Sequence, residues 1–225
     1  AWCATMELST IVSHLASGTW RTLVIFGGAA ALGVALSVLI GVGRCARSRW
    51  LRWPTLGYVE LFRGTSCLVQ LFWFYYAFPL FGITMPAMVA AIVAVGINTS
   101  AYGAEIVRGS IQAVDKGQRE AAHALGITPL MSLRKIILPQ AIPAMIPPFG
   151  NLLIEALKNS ALAIVVSVSE LFYVANKTLR DADPKNSLAY FMVILGIYFA
   201  ISLAITASTR FAERRSGAYL EVARA

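Results

Sequence analysis

The sequence predicts an all-α integral membrane protein with about five transmembrane helices and one short partial segment. Three observations carry that prediction. Hydrophobic residues make up 58 % of the chain and charged residues only 13 %, too few charges to coat a water-facing surface. Mean hydropathy is +0.69, which also excludes an intrinsically disordered chain. Several apolar runs approach the roughly 20 residues that a helix needs to cross a hydrocarbon core of about 30 Å.

The first span is read as Gly18 to Val42, with Arg21 near one end. The second runs from Thr55 to Phe78 and carries Glu60 and Arg63 in its first two turns. The third, Met85 to Ile111, has Glu105 and Arg108 in its last turns. The fourth, Ala141 to Asn159, contains Pro143, Pro147 and Pro148, which remove backbone donors and are expected to break it or to mark its turn-in. A shorter apolar piece, Ala161 to Val174, reads as re-entrant or as a short helix. The last span is Leu188 to Thr209. Residues 1–17 read as an extracytoplasmic lead-in without signal-peptide character, 18–215 as the membrane domain and 216–225 as a tail.

The net charge of +8 does not point to nucleic acid once the basic residues are placed. Arg44, Arg47, Arg49 and Arg52 lie in the first loop. Arg108, Lys116, Arg119, Arg134 and Lys135 lie in or beside the long third loop, and Arg210, Arg214, Arg215 and Arg224 in the tail. Only Arg21, Lys177, Arg180 and Lys185 fall on the opposite side. Excess Lys and Arg mark the cytoplasmic side, so the N-terminus is expected outside and the C-terminus inside. Within span one, Ala29, Gly33, Ser37 and Gly41 recur every four residues. They form one small-residue face for close helix approach, either within the chain or at a subunit contact.

Cys3, Cys45 and Cys67 show no paired or metal-binding spacing. No phosphate-binding G-x-x-x-x-G-K-[ST] loop is present, so any ATPase is expected on another chain. The long loop, 113–139, is more informative. Gln118 to Leu125 reads as a short helix ended at Gly126, which can take positive φ. Thr128 and Pro129 read as the N-cap and first residue of a second short helix. That helix would carry Leu130, Leu133, Ile136 and Ile137 on one face, with Pro139 punctuating the start of the next span. Together they make a compact knob of the kind that is more often functional than idle.

Glu120-Ala121-Ala122, Gly126 and Ile137-Leu138-Pro139 resemble the EAA motif of bacterial ABC-importer permeases. Glu60-Leu61-Phe62-Arg63-Gly64-Thr65 with Val69-Gln70-Leu71-Phe72 is similar to the second-span signature of the polar amino-acid uptake branch. Asn98, Ser100, Ala101, Tyr102, Ala104-Glu105 and Arg108-Gly109 resemble its third-span signature. Leu138-Pro139-Gln140-Ala141, Pro147-Pro148, Gly150-Asn151 and Leu157-Lys158 continue the match. Ser66, Asn159 and Glu155 depart from the usual residues, which bears on the substrate rather than the class.

The resemblance implies a type I importer permease of MetI-like architecture. It implies coupling through Glu120, Ala121, Ala122, Gly126, Leu138 and Pro139 to a cytoplasmic ABC ATPase dimer, which would hold ATP and Mg; this chain itself would bind no cofactor. A second permease subunit, identical or not, and an extracytoplasmic solute-binding protein would complete the complex in the bacterial inner membrane. Small Ala121 and Ala122 would admit the partner closely, and Glu120 would hydrogen-bond a basic group on it.

Polar residues within spans are the candidates for substrate contact: Gln70, Asn98, Ser100, Tyr102, Glu155, Lys158, Asn159 and Ser160. Glu155 and Lys158 stand three apart and either neutralise each other or leave Glu155 for a cationic substrate. Glu60 with Arg63, and Glu105 with Arg108, repeat that spacing and are read as a gate or as helix-pairing charges. The alternatives are a secondary transporter or channel, a membrane scaffold, and uptake of an amino-acid-derived compatible solute by the same ABC mechanism.

Overall fold

The computed structural model describes residues 8–46 and 48–222, with side chains described from Ser9 to Ser216 except Arg47. Cys3, Arg47, Arg224 and the first part of the lead-in lie outside the described residues. Helix α1 runs Leu8–Arg44, beginning well before the expected Gly18. Then come α2 (Arg49–Arg63), α3 (Cys67–Phe72) and α4 (Ala87–Ala113). Helices α5 (Lys116–Ala124) and α6 (Pro129–Ser132) form the long loop. Helix α7 (Leu138–Asn159) is followed by the short α8 (Leu171–Tyr173) and α9 (Arg180–Ala182), and by the long α10 (Ser187–Val222).

Four stretches among the described residues are long and apolar enough to cross a membrane: Ser9–Arg44, Ala87–Ala113, Pro129–Val166 and Pro184–Ser216. The expected second span is not one rod. It breaks at Gly64, and the chain resumes as α3, continues through a π-helical turn Trp73–Ala77 and ends in a 3-10 turn, Phe78–Phe81. With the shorter apolar run Cys67–Phe81 beside the four long stretches, the described residues fit about five passes, one of them discontinuous.

Pairings fix the directions. Gly28, Gly33 and Gly41 of α1 lie against Ile92, Thr99 and Val107 of α4, so these helices run parallel. Tyr58 and Phe62 of α2 meet Ser100 and Asn98 of α4, which makes α2 antiparallel to it. Helix α7 returns beside α4, with Met145 against Val107 and Ala156 against Val95. Gly150 of α7 touches Thr209 of α10.

The small-residue stripe of α1 faces α4, not a second subunit. Ala29 and Ser37 are fully buried. A Cβ added at Gly41 would lie 2.6 Å from Val107 Cβ and 2.8 Å from the Ala104 carbonyl oxygen. Ser37 Oγ donates to the Gly33 carbonyl at 2.7 Å and reaches the Ser100 carbonyl at 3.3 Å. In lipid, helices associate through such close packing because the tails are as apolar as the side chains.

The prolines do not break the fourth span. Pro143, Pro147 and Pro148 all lie inside the continuous helix α7. Nor does Pro139 punctuate its start, because α6 runs straight into α7 through a π-helical turn, Leu133–Ile137. There the Leu138 amide donates to the Leu133 carbonyl, five residues back. The wider turn supplies the slack that a proline ring needs just beyond it. The piece 161–174 is likewise not one unit. A 3-10 extension of α7, Ser160–Val166, ends at Ser167 in the left-handed region with φ 57°.

The α1–α4 seam makes a test. Gly41→Ala should destabilise the transporter by about 1–3 kcal/mol, as overpacking does. Gly27→Ala, where nothing lies within 4 Å of the new Cβ, should leave unfolding unchanged. Thermal unfolding of the detergent-purified complex measures both, and equal effects would contradict the seam.

Candidate functional site

The long loop folds as the expected knob. Asp115 caps α5, its Oδ1 accepting from the Gly117 amide at 2.6 Å. Gly126 has φ +70°, and the Ile127 amide donates to the Ala122 carbonyl at 3.0 Å, closing the helix end. Thr128 Oγ1 accepts from the Met131 amide at 3.4 Å, with Pro129 first in α6. Arg119 clamps the knob to the end of α4 by donating to the Ile111 carbonyl at 2.5 Å.

Around the glycine turn, Leu125 is 78 % exposed, Leu130 75 % and Met131 47 %. Glu120 and Ala121 also face outward. Ala122 does not: it is 2 % exposed and packs inward, where its small size serves the knob itself. Pro139 is exposed and Leu138 half-buried against the cluster around Val107 and Ile111.

The polar residues in the spans separate into two groups. Gln70 and Asn98 close the break in the second pass. Gln70 Nε2 donates to the Phe62 carbonyl at 2.9 Å and to Thr65 Oγ1 at 2.9 Å. Asn98 Nδ2 reaches the same Phe62 carbonyl at 3.3 Å. Carbonyls freed by a helix break in lipid need such donors; both amide nitrogens serve the backbone, while Gln70 Oε1 is buried without a partner among the described residues. Ser100 is fully buried, bonding the Ile97 carbonyl at 2.7 Å and Tyr58 Oη at 2.6 Å. Ser160 is fully buried and bonds the Leu157 carbonyl at 2.7 Å. In this structure Gln70, Asn98, Ser100 and Ser160 are therefore buried and bonded within the chain.

The second group stays accessible. Asn151, Glu155 and Lys158 are exposed on one face of α7, with Asn159 half-buried beside them. Glu155 and Lys158 form no ion pair among the described residues. Tyr102 is half-buried, and the Arg63 guanidinium lies over its ring at 5.3 Å.

The paired charges also part company. Glu60 and Arg63 are exposed and do not pair with each other among the described residues. Glu105 instead anchors a cluster at the loop end of α4. Arg108 donates to it through Nε at 3.0 Å and Nη2 at 2.8 Å. Arg44, from the end of α1, forms an ion pair with its other oxygen. Arg44 entered the sequence reading only as a topology charge; its partner lies on another helix, out of reach of local spacing.

Sequence reasoning also missed Glu170, which is fully buried. It caps α8: Oε2 accepts from the Phe172 amide at 2.7 Å and Oε1 from the Tyr173 amide at 2.8 Å. Thr22 of α1 and Tyr198 of α10 donate to Oε2 at 3.4 Å and 3.2 Å. The Leu171 amide bonds back to Thr22 Oγ1 at 3.1 Å, and Arg21 reaches the Ser169 carbonyl at 3.1 Å. One carboxylate thus joins α1, α8 and α10 at the end opposite the knob. The signal was an acidic residue opening a helical run after an apolar stretch.

Removing that carboxylate leaves two buried amides unpaired, each worth about 1–3 kcal/mol. Glu170→Ala should therefore lower the unfolding temperature of the purified complex well below that of Glu170→Gln, which keeps one acceptor oxygen. Equal shifts would refute the capping role.

Comparison with known proteins places this architecture. Residues 33–217 match the family described as binding-protein-dependent transport system inner membrane component. A probable amino-acid ABC transporter permease of Sinorhizobium fredii is 37 % identical over 92 % of this chain and 89 % of its own. The L-cystine transport system permease of Bacillus subtilis is 35 % identical over 92 % and 88 %. The glutamine transport system permease of Escherichia coli is 33 % identical over 89 % and 92 %. A crystal structure described as an amino acid ABC transporter with histidines superimposes with a TM-score of 0.82 at 34 % identity, covering 94 % of this chain and 99 % of that one. The methionine transporter MetNI, in an inward-facing conformation, shares the fold at 21 % identity and a TM-score of 0.80, with 94 % and 99 % covered. The chain belongs to the binding-protein-dependent inner membrane components, the non-catalytic permease subunits of ABC importers.

Proposed function

We propose that this permease carries a polar amino acid across the bacterial inner membrane by alternating access, in a path formed with a second permease subunit. The observation that carries the reading is the pair of surfaces left open on one rigid fold. The knob exposes Leu125, Leu130 and Met131 where water would disfavour them. The outward face of α7 exposes Asn151, Glu155 and Lys158 where lipid would disfavour them.

The apolar knob, with Glu120 and Ala121 beside it, suits a groove on a cytoplasmic ATPase that holds ATP and Mg. Because α6 continues into α7, a push on the knob moves α7 as one body, and with it Glu155 and Lys158. Arg119 and the Glu105 cluster tie the same push to α4 and α1. A solute-binding protein would load the path from the end that carries α8. On this reading the N-terminus is extracytoplasmic, and the knob and C-terminus are cytoplasmic.

Among the described residues no cation pairs with Glu155, so it suits an ammonium or guanidinium group. Uptake by proteoliposomes containing Glu155→Gln should fall far more for a cationic amino acid than for a neutral one; equal losses would remove this inference. Gly126→Asp places a charge in the apolar knob at a left-handed position. It should abolish most uptake while complex assembly and ATPase content stay normal. Unchanged transport at normal complex levels would count against coupling through this turn.

A further inference from the structure

Helices α1, α7 and α10 enclose a groove of about 420 Å³ that the transport reading does not use. Its walls are Val34 of α1, Ile142, Ile146, Phe149 and Leu153 of α7, and Ala212 of α10. Val34 and Ile142 are 36 % and 50 % exposed, so the groove is open along its length. Its floor is the tight contact of Gly150 with Thr209. The side-chain hydroxyls among its described lining residues, on Ser208 and Thr209, are turned back onto the Ala204 and Ile205 carbonyls at 2.8 Å each. Nothing in the groove asks for a polar ligand. It also lies on a different face of α7 from Asn151, Glu155 and Lys158, so it is not part of the proposed path.

Its dimensions fit half a bilayer. Ile142 to Leu153 spans about 16 Å at 1.5 Å per helical residue, half of a hydrocarbon core of about 30 Å. Basic residues follow the groove lining toward the knob in α10 and precede it in the turn before α7. Arg215 follows Ala212 by three residues and shares its face. Arg134 and Lys135 are exposed in the turn just before α7. None of these three makes an ion pair among the described residues, and Glu213 is the acidic residue beside them on α10 among the described side chains.

We propose that the groove is a binding site for an anionic phospholipid of the leaflet nearest the knob, its acyl tail against α7 and its phosphate at Arg215 and the turn before α7. The chemistry is an apolar channel of one-leaflet length ending in unpaired cations, which matches a tail and an anionic headgroup together. A second protein chain would gain from the apolar walls but not from the cations at the rim.

The test uses the whole transporter purified in mild detergent, delipidated, and supplied with phosphatidylglycerol or phosphatidylcholine. Retained lipid per complex is read by native mass spectrometry. Wild type should retain phosphatidylglycerol in preference to phosphatidylcholine. Ala212→Trp and Val34→Trp, which fill the groove from two different helices, should each lose that retention. Arg215→Gln should weaken it about fivefold, the factor expected from one basic residue at an anionic surface, while Arg214→Gln, turned off the groove face, should not. Equal retention of the two lipids by wild type overturns the proposal without any variant. Unchanged retention in both tryptophan variants, or equal losses in Arg214→Gln and Arg215→Gln, overturns it as well. Capture of a second permease chain at Val34→Cys by crosslinking would assign the groove to a subunit contact instead.

Discussion

Close contact between α1 and α4 is the constraint on which the rest of the molecule depends. Inside a bilayer, burying an apolar side chain against another helix gains nothing over burying it against lipid, so helices hold together where backbones can approach. Gly33, Ser37 and Gly41 allow that approach, and α4 has no spare room to receive a Cβ at Gly41. With α1 seated, α4 becomes the post against which the remaining passes are set. Tyr58 docks on Ser100, Met145 and Ala156 of α7 return along its other side, and Arg44 reaches Glu105 at the loop end.

A second demand shapes the breaks. Where the chain leaves helical geometry within the membrane, the freed carbonyls and amides must find partners in protein. At Gly64 the partners are the Gln70 and Asn98 amides. After Ser167 the partner is the Glu170 carboxylate, with Thr22 and Tyr198 completing its shell. A polar residue in an apolar span thus has two uses, and the competition is decided by the nearest orphan backbone group. Gln70 and Asn98 lose their freedom to a helix break; Glu155 and Lys158, on an unbroken stretch of α7, keep theirs. The proposed path is narrower for it, resting on α7 and the neighbourhood of Tyr102.

Some of this is legible in the sequence alone. Gly126, Thr128 and Pro129 each impose a local backbone preference, so the knob follows from its own residues. The stripe on α1 was visible as a period of four, although its partner was not. The prolines of α7 have a local cost that the surrounding helix absorbs. The π-helical turn Leu133–Ile137 and packing on both sides of α7 let a single helix carry all three of its internal prolines. Ala122 is the converse: its place in a docking motif suggests an outward face, and the fold of the loop turns it in.

Composition, hydropathy and the placement of Arg and Lys determined that this chain crosses a membrane about five times, and the linked motifs determined its family. Those properties are local, set by how each short stretch meets water or lipid. Tertiary structure alone decided which charges and amides are spent on the fold. Asn98 bonds a carbonyl 36 residues away, and Glu170 meets Thr22 across 148. Hydrogen bonds and ion pairs act over a few ångströms, so partners that far apart in sequence are chosen only when packing brings the helices together.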